Sequence, residues 1–358
     1  LSPLSLHSHK EREMKYKPNI SIIGAGMIAG IHLDAILNTH RANVLWLADV
    51  DKRVLAEKQK KYNVPNGTTN YRDILRDNNI DAVIVAAPPF EHFDAAVSVM
   101  RADKNVLIEK PLVINRSQIN RLVKETTRHK NLVILECSAR HTRLQPKFHF
   151  VKKMLDNGDI GEVYHIHHNH LMRRTFIEYN PRGVWSLKKS LAGGGPFLDW
   201  GVYDLSFHLG LLNDRPKLAG IKCFVRNGIK IFSNPKIKSD VEEHGAAFMK
   251  FDTGLTYYYE RGAGVHCEVA NETRIFGTKG SLRFSFATWD SPQIERFWVN
   301  KNRVEKRTVY KVDMSKHPGD DLALINHFLD CLAGKAKPLM PVSLAAKHLD
   351  ILFQILGR

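Results

Sequence analysis

An apolar run that breaks at two closely spaced glycines and resumes as a helix leaves few folds open to a chain. Ser21-Ile22-Ile23-Gly24-Ala25-Gly26-Met27-Ile28-Ala29-Gly30-Ile31-His32 has this form. Gly24 permits a tight turn, Gly26 lets backbone approach a phosphate, and Ala29 takes the third position, where helix packs on strand. The amides of Met27 and Ile28 open the helix, so its N-terminus and macrodipole would face an anion such as a pyrophosphate. Glycine turns between strands and helices are common, and two more features are needed. Asn43–Ala48 reads as a second strand ending at Asp49, about 20 residues past the glycines, where a carboxylate can accept ribose hydroxyls. Ala82-Val83-Ile84-Val85-Ala86-Ala87-Pro88 is a continuous apolar run, the pattern of a parallel strand covered on both faces. Strands separated by helical stretches imply right-handed βαβ units and a doubly wound sheet.

The chain has 358 residues, enough for about two domains. The dinucleotide-binding unit is expected over residues 14–137 and a second unit over 138–358, with 1–13 as a leader outside both. The second unit carries β-like runs at 163–171, 218–226, 246–251, 255–260, 268–276 and 282–286, and turn signals at Asp252-Thr253-Gly254 and Thr278-Lys279-Gly280. Its tail returns to helix at 322–332 and 343–356. The expected class is therefore α/β: an N-terminal Rossmann domain plus a C-terminal α/β domain with a large, mostly antiparallel open sheet.

No apolar run reaches the roughly 18 residues of a membrane helix, and the N-terminus lacks the apolar core of a signal peptide. Cys137, Cys223, Cys267 and Cys331 show no paired spacing, which fits reduced thiols in a cytoplasm, each read as a small buried hydrophobe. Net charge is +16, yet the basic residues are dispersed and do not alternate with aromatics, so no nucleic-acid platform is expected. His165, His167, His168 and His170 invite a metal reading. On a strand they divide two to a face with no adjacent acid, so no metal site is expected.

Two constellations carry chemistry. Glu109-Lys110-Pro111 follows the strand at 105–108, and the C-terminal ends of parallel strands face the ligand crevice. Lys110 could place its ammonium beside a nicotinamide and a substrate hydroxyl; a surface lysine in a turn explains the position equally well. Gly193-Gly194-Gly195-Pro196-Phe197-Leu198-Asp199-Trp200-Gly201-Val202-Tyr203 reads as glycines followed by one helix. Asp199 and Tyr203, four apart, would share a helical face and could grip a carbinol. Alternatively Asp199 complements the helix dipole and Tyr203 packs.

With these markers in order, the chain resembles the glucose–fructose oxidoreductase / inositol dehydrogenase / MocA family of nicotinamide-dependent oxidoreductases. The resemblance rests on Gly24-x-Gly26-x-x-Ala29-x-x-His32, Ala48-Asp49, Ala87-Pro88-Pro89-x-x-His92, Glu109-Lys110-Pro111, Arg143-x-x-Pro146, Gly158-x-Ile160-Gly161, Asp199-x-Gly201-x-Tyr203-Asp204 and Phe276-Gly277-Thr278-Lys279-Gly280. It implies hydride transfer between a nicotinamide and a secondary hydroxyl or carbonyl of a sugar, cyclitol or related polyol. An NAD-retaining glycosidase or a non-catalytic dinucleotide sensor are alternatives on the same fold. The resemblance makes Lys110 catalytic, Asp199 substrate-orienting and Tyr203 the proton-transfer residue, with Lys110 lowering the phenol's pKa. Gly24, Gly26, Met27, Ile28, Asp49, Pro88, His92, Glu109 and Lys110 become cofactor contacts, and Trp185 and His208 candidate pocket walls. It also implies a cis bond before Pro111 and a homodimer or homotetramer built through the second sheet. Asp49 would repel a 2′-phosphate, so NAD is the expected cofactor, with Lys52 and Arg53 close enough to leave NADP open.

Overall fold

The structure, a computed structural model, describes residues 17–229 and 238–357; the expected leader lies outside the described residues. Six strands form the first sheet: β1 (Asn19–Ile23), β2 (Asn43–Ala48), β3 (Asn66–Thr68), β4 (Ala82–Val85), β5 (Asn105–Ile108) and β6 (Ile134–Glu136). Their order is β3-β2-β1-β4-β5-β6, with every pair parallel. The order reverses between β1 and β4, and a crevice opens at such a switch point beyond the strand ends. β4 is buried at every position, as its unbroken apolar run requires.

The second sheet contains β7 (Val163–Met172), β8 (Leu218–Arg226), β9 (His244–Phe251), β10 (Thr256–Ala263), β11 (Val269–Gly277), β12 (Gly280–Phe284), β13 (Gln293–Val299) and β14 (Glu305–Lys311). Its order is β14-β13-β12-β11-β7-β10-β9-β8, and only β7 and β10 run parallel. One face packs on the helix Gly201–Leu211, all of whose residues are buried. That contact encloses an ion pair: Arg261 on β10 reaches Asp204 on the helix through Nε at 2.6 Å and Nη2 at 2.7 Å, and both side chains are fully buried. Breaking such a pair leaves an uncompensated charge, at a cost of about 3–5 kcal/mol.

Several expectations need correction. The segment after the glycine triplet is two helices, Pro196–Asp199 and Gly201–Leu211, parted at Trp200. β13 and β14 extend the sheet beyond the strands expected from sequence. The helix Asp320–Leu332 leaves the second sheet and buries Leu324, Ile325, Phe328 and Leu329 in the core cluster of the first, so the tail crosses the expected boundary at 137/138. Cys223 and Cys267 are exposed free thiols rather than buried hydrophobes, because each lies on or beside an open strand. His168 is buried against Asp204 at 3.3 Å, whereas His167 lies on the open face against Tyr258.

Candidate active site

The glycine turn is built by steric necessity. Gly24 has φ +99°, and a Cβ there would lie 2.6 Å from the Ala86 carbonyl oxygen. A Cβ on Gly26 would meet nothing within 4 Å, so the space ahead of the turn is open. Gly26 caps the helix Met27–Thr39 without any side-chain cap, leaving first-turn amides free to meet an anion. Met27 is exposed and Ile28 half-buried beside this opening. Asp49, just past β2, accepts from the Ala25 amide at 2.7 Å and the Asp51 amide at 2.9 Å, which fixes its carboxylate against the turn. These groups fit a dinucleotide: open glycine backbone for the pyrophosphate and an anchored acid for the ribose.

Beyond β5 the Lys110–Pro111 peptide is cis, as the resemblance implies. The Lys110 ammonium donates to the Asp199 carbonyl at 3.0 Å and forms an ion pair with the Asp199 carboxylate. It lies 5.5 Å from the centre of the Tyr203 ring. Groups from the two sheets' domains therefore meet at the crevice. The break at Trp200 does not separate Asp199 from Tyr203, because Lys110 bridges them.

The cation on the Tyr203 oxygen is not the expected one. Arg140 donates to it through Nη2 at 2.6 Å, while Lys110 is turned toward Asp199. Burial pushes the phenol well above its ordinary value, and Arg140 offsets only part of that rise, so Tyr203 is a neutral phenol. Arg140 also donates to Glu109 through Nη1 at 2.7 Å, and His32 meets the same carboxylate at 2.9 Å. Burial alone would raise the Glu109 carboxyl; Arg140 and His32 together hold it well below the usual range. A continuous buried chain, His32–Glu109–Arg140–Tyr203, thus connects the helix after the glycine turn to the phenol.

His141, next in sequence, bonds Asp320 through Nδ1 at 2.7 Å and sits 4.9 Å, centroid to centroid, from Tyr203. Sequence reasoning missed Arg140, His141 and Asp320. The first two follow the C-terminal end of β6 almost directly, and that position was the available signal.

Other expected contacts fall elsewhere. His92 is buried with both ring nitrogens on backbone carbonyls, of Pro111 and Ala87, each at 2.8 Å. It braces the cis segment and has no ring nitrogen left for a cofactor. Glu109 likewise anchors cations beneath the crevice, and its Oε2 also accepts the Lys110 amide at 3.0 Å. Pro88 precedes the helix Pro89–Arg101 at the mouth, half-buried. Trp185 packs on Phe176 at 5.8 Å instead of on the Lys110 cluster. His208 is fully buried, holding Thr273 at 2.9 Å and the Tyr257 hydroxyl at 2.7 Å, so it belongs to the core and not to a pocket wall. His32, Glu109 and Cys137 bring ligand-type atoms within 4.8 Å of one another. The guanidinium already on Glu109 makes that cluster a hydrogen-bonded network hostile to a cation. A groove of about 280 Å³ on the outer helices, lined by Phe93, Arg101, Arg121 and Arg128, shares no residue with the crevice.

Comparison with known proteins decides the family. Residues 18–137 match the profile described as an oxidoreductase family with NAD-binding Rossmann fold, and residues 148–283 match the GFO/IDH/MocA C-terminal domain. The chain belongs to the GFO/IDH/MocA oxidoreductase family.

Among relatives of this family member, the levoglucosan dehydrogenase of Pseudarthrobacter phenanthrenivorans is 24% identical, over 82% of this chain and 80% of that one. The myo-inositol 2-dehydrogenase of Thermotoga maritima is 23% identical, over 74% of each chain. A trans-1,2-dihydrobenzene-1,2-diol dehydrogenase of Oryctolagus cuniculus is 23% identical, over 93% of this chain and 96% of its own. The solved structure of levoglucosan dehydrogenase in complex with NADH and levoglucosan superposes with a TM-score of 0.81 at 18% identity, covering 96% and 97% of the two chains. For this GFO/IDH/MocA protein the first sheet is thus an NAD-binding Rossmann domain and the activity class is oxidoreductase. No helix among the described residues is long and apolar enough to cross a membrane.

Proposed function

We propose that the protein interconverts a secondary hydroxyl and the matching carbonyl on a sugar, cyclitol or related polyol, with NAD as redox partner. The observation that carries this reading is the convergence of Lys110, Asp199 and Tyr203 from two domains at the strand ends. The names of the relatives, dehydrogenases of myo-inositol, levoglucosan and a dihydrodiol, support the substrate class. The nicotinamide, when bound, accepts or supplies the hydride.

The protein's own part is positioning and proton transfer. Asp199 and Lys110 together present one acceptor and one donor to a hydroxyl and hold it at the crevice. Tyr203 moves the proton at its phenolic oxygen. Arg140 stabilises that oxygen, since a hydrogen bond from a guanidinium strengthens as its acceptor gains charge. Asp49, fixed beside the glycine turn, accepts ribose hydroxyls and disfavours a 2′-phosphate.

Assay of NAD reduction with myo-inositol, levoglucosan and common aldoses tests the reading. Tyr203→Phe should lower turnover by about 10²–10⁴-fold with NAD affinity unchanged. Near-normal turnover in that variant removes Tyr203 from the chemistry. Release of free sugar with no accumulation of reduced nicotinamide would instead make the protein an NAD-retaining glycosidase.

The open face of the second sheet carries exposed Phe248 and Val309, with Tyr258, His167, Arg274, Arg283 and Glu295 in register between them, a mixed apolar and charged row. We read this face as the contact of a homodimer or homotetramer, and the four free thiols as suited to a reducing cytoplasm. Sedimentation of a monomer at micromolar concentration would overturn the first reading.

A further inference from the structure

The turn at 285–290, between β12 and β13, is held far more firmly than a surface loop needs. Lys147, itself fully buried, donates its ammonium to the carbonyls of Ser285 at 3.1 Å, Ala287 at 2.5 Å and Asp290 at 3.4 Å. Gln145 donates to the Phe286 carbonyl at 2.8 Å. Ser285 donates to Asp290 at 2.5 Å, and Thr288 to the Asp320 carboxylate at 2.7 Å. Sinking an ammonium under a turn is unfavourable unless every donor is matched, and three carbonyls match it here. The one residue of the turn exposed to solvent is Trp289, at 57%.

That indole does not face empty solvent. Its ring lies 5.7 Å from Trp200 and 5.5 Å from His141, edge-on to both. Trp200 and His141 in turn lie 5.4 Å and 4.9 Å from Tyr203. His141 is fixed by the same carboxylate that holds the turn, since Asp320 accepts from Thr288 and bonds His141 Nδ1 and His317 Nε2, each at 2.7 Å. Asp320 thereby sets the His141 tautomer, and among the described residues Nε2 has no partner. A rigidly mounted, exposed indole beside one oriented imidazole nitrogen has the composition of a ligand wall: an apolar plane with one polar group.

We propose that Trp289 and His141 form a ring-recognition subsite next to Tyr203. The C–H face of a pyranose- or cyclitol-type ring stacks on the Trp289 indole, and one ring hydroxyl bonds His141 Nε2. This rests on the polyol reading above and narrows it: cyclic substrates are preferred over open-chain polyols with the same number of hydroxyls, which lack a flat C–H face. Lys147 is a positioning residue for the indole, and Asp320 one for the imidazole.

The test uses the full chain loaded with NAD, with myo-inositol and D-glucose as cyclic probes and sorbitol as the open-chain probe, read by turnover and by indole fluorescence. Trp289→Ala should raise KM for the cyclic probes by about tenfold, in the range of one aromatic stacking contact, and leave that for sorbitol within about twofold. His141→Phe, which keeps the ring and removes Nε2, should do the same for the cyclic probes. Lys147→Met should reproduce the Trp289→Ala pattern without altering any group that touches the ring. Equal effects on cyclic and open-chain probes, no effect on either, or no binding of a cyclic probe to the wild type overturns the subsite. Cyclic binding that depends on Trp289 without any NAD reduction keeps the subsite and overturns the redox reading; turnover indifferent to Trp289 does the reverse.

Discussion

Arg140 is the residue on which the buried side of the site turns. Its guanidinium serves Glu109 and the Tyr203 oxygen at once, a geometry that depends on a planar fork of donors. A lysine keeps the charge but cannot span both acceptors. Arg140→Lys is therefore expected to lower kcat by at least about tenfold, since a hydrogen bond to a charged group is worth about 1.5–3 kcal/mol. NAD affinity, measured by fluorescence, should stay unchanged, because the glycine turn and Asp49 do not touch Arg140. Glu136, four residues earlier, offers a cleaner pH test. Burial raises its carboxyl from the usual 4.5 to about 7, against the pull of the Ser138 amide. A raised carboxyl binds its proton more tightly in the folded state, so its stabilising contribution is complete below 4.5 and lost as pH rises to about 7. Glu136→Gln can keep the Ser138 bond without the charge. It should flatten the fall in Tm over that interval and stabilise the protein at pH 8 by about 3 kcal/mol. A Tm profile identical to the wild type would show that Glu136 keeps an ordinary carboxyl.

At the scale of elements, the short helix Pro196–Asp199 holds the substrate-side carboxylate, and its start allows no side chain. A Cβ on Gly195 would lie 2.1 Å from the Glu242 carbonyl oxygen, a contact with backbone that no rotamer relieves. The Glu242 carboxylate also accepts from the amides of Gly195 at 2.8 Å and Phe197 at 3.3 Å. Gly195→Ala should displace this helix, cost about 1–3 kcal/mol, and lower kcat more than it weakens NAD binding. The glycine triplet announced that helix in the sequence, and Gly24, Gly26 and Pro111 announced the cofactor turn and Lys110, because glycine and proline mark backbone constraints locally. The break at Trp200 was not legible, since its apolar neighbours fit one continuous helix equally well. β13 and the edge strand β14 escaped for another reason: both mix exposed and half-buried positions, and Glu295, Arg296, Glu305, Lys306 and Arg307 blur the alternation. Arg140, His141 and Trp289 lie far apart in sequence from Tyr203, and only the assembled sheets bring them to it.

At the scale of the molecule, the two sheets are not separable units joined by a linker. The helix Asp320–Leu332 comes after all eight strands of the second sheet, yet its apolar side completes the core beneath β1, β4 and β5. Arg41, just after the first Rossmann helix, fastens it from outside through Asp330 at 2.6 Å and Asn326 at 3.0 Å. The following helix, Val342–Ile355, buries Leu349, Leu352 and Phe353 in a core cluster that spans both sheets. The cofactor domain therefore needs residues some 200 positions downstream of β6 to close its own core. Phe328 is fully buried in that contact, and Phe328→Ala should cost about 3–5 kcal/mol. Calorimetry should show one transition for the whole chain, shifted up as a unit by saturating NAD and shifted down as a unit by Phe328→Ala. The variant should bind NAD less tightly although Phe328 lies in the core and not at the turn, because its helix packs on the helix Met27–Thr39 that the glycine turn opens, and loosening one loosens the other. Two resolved transitions, with only one responding to NAD, would mean that the tail helix is a passenger on an independently stable Rossmann core.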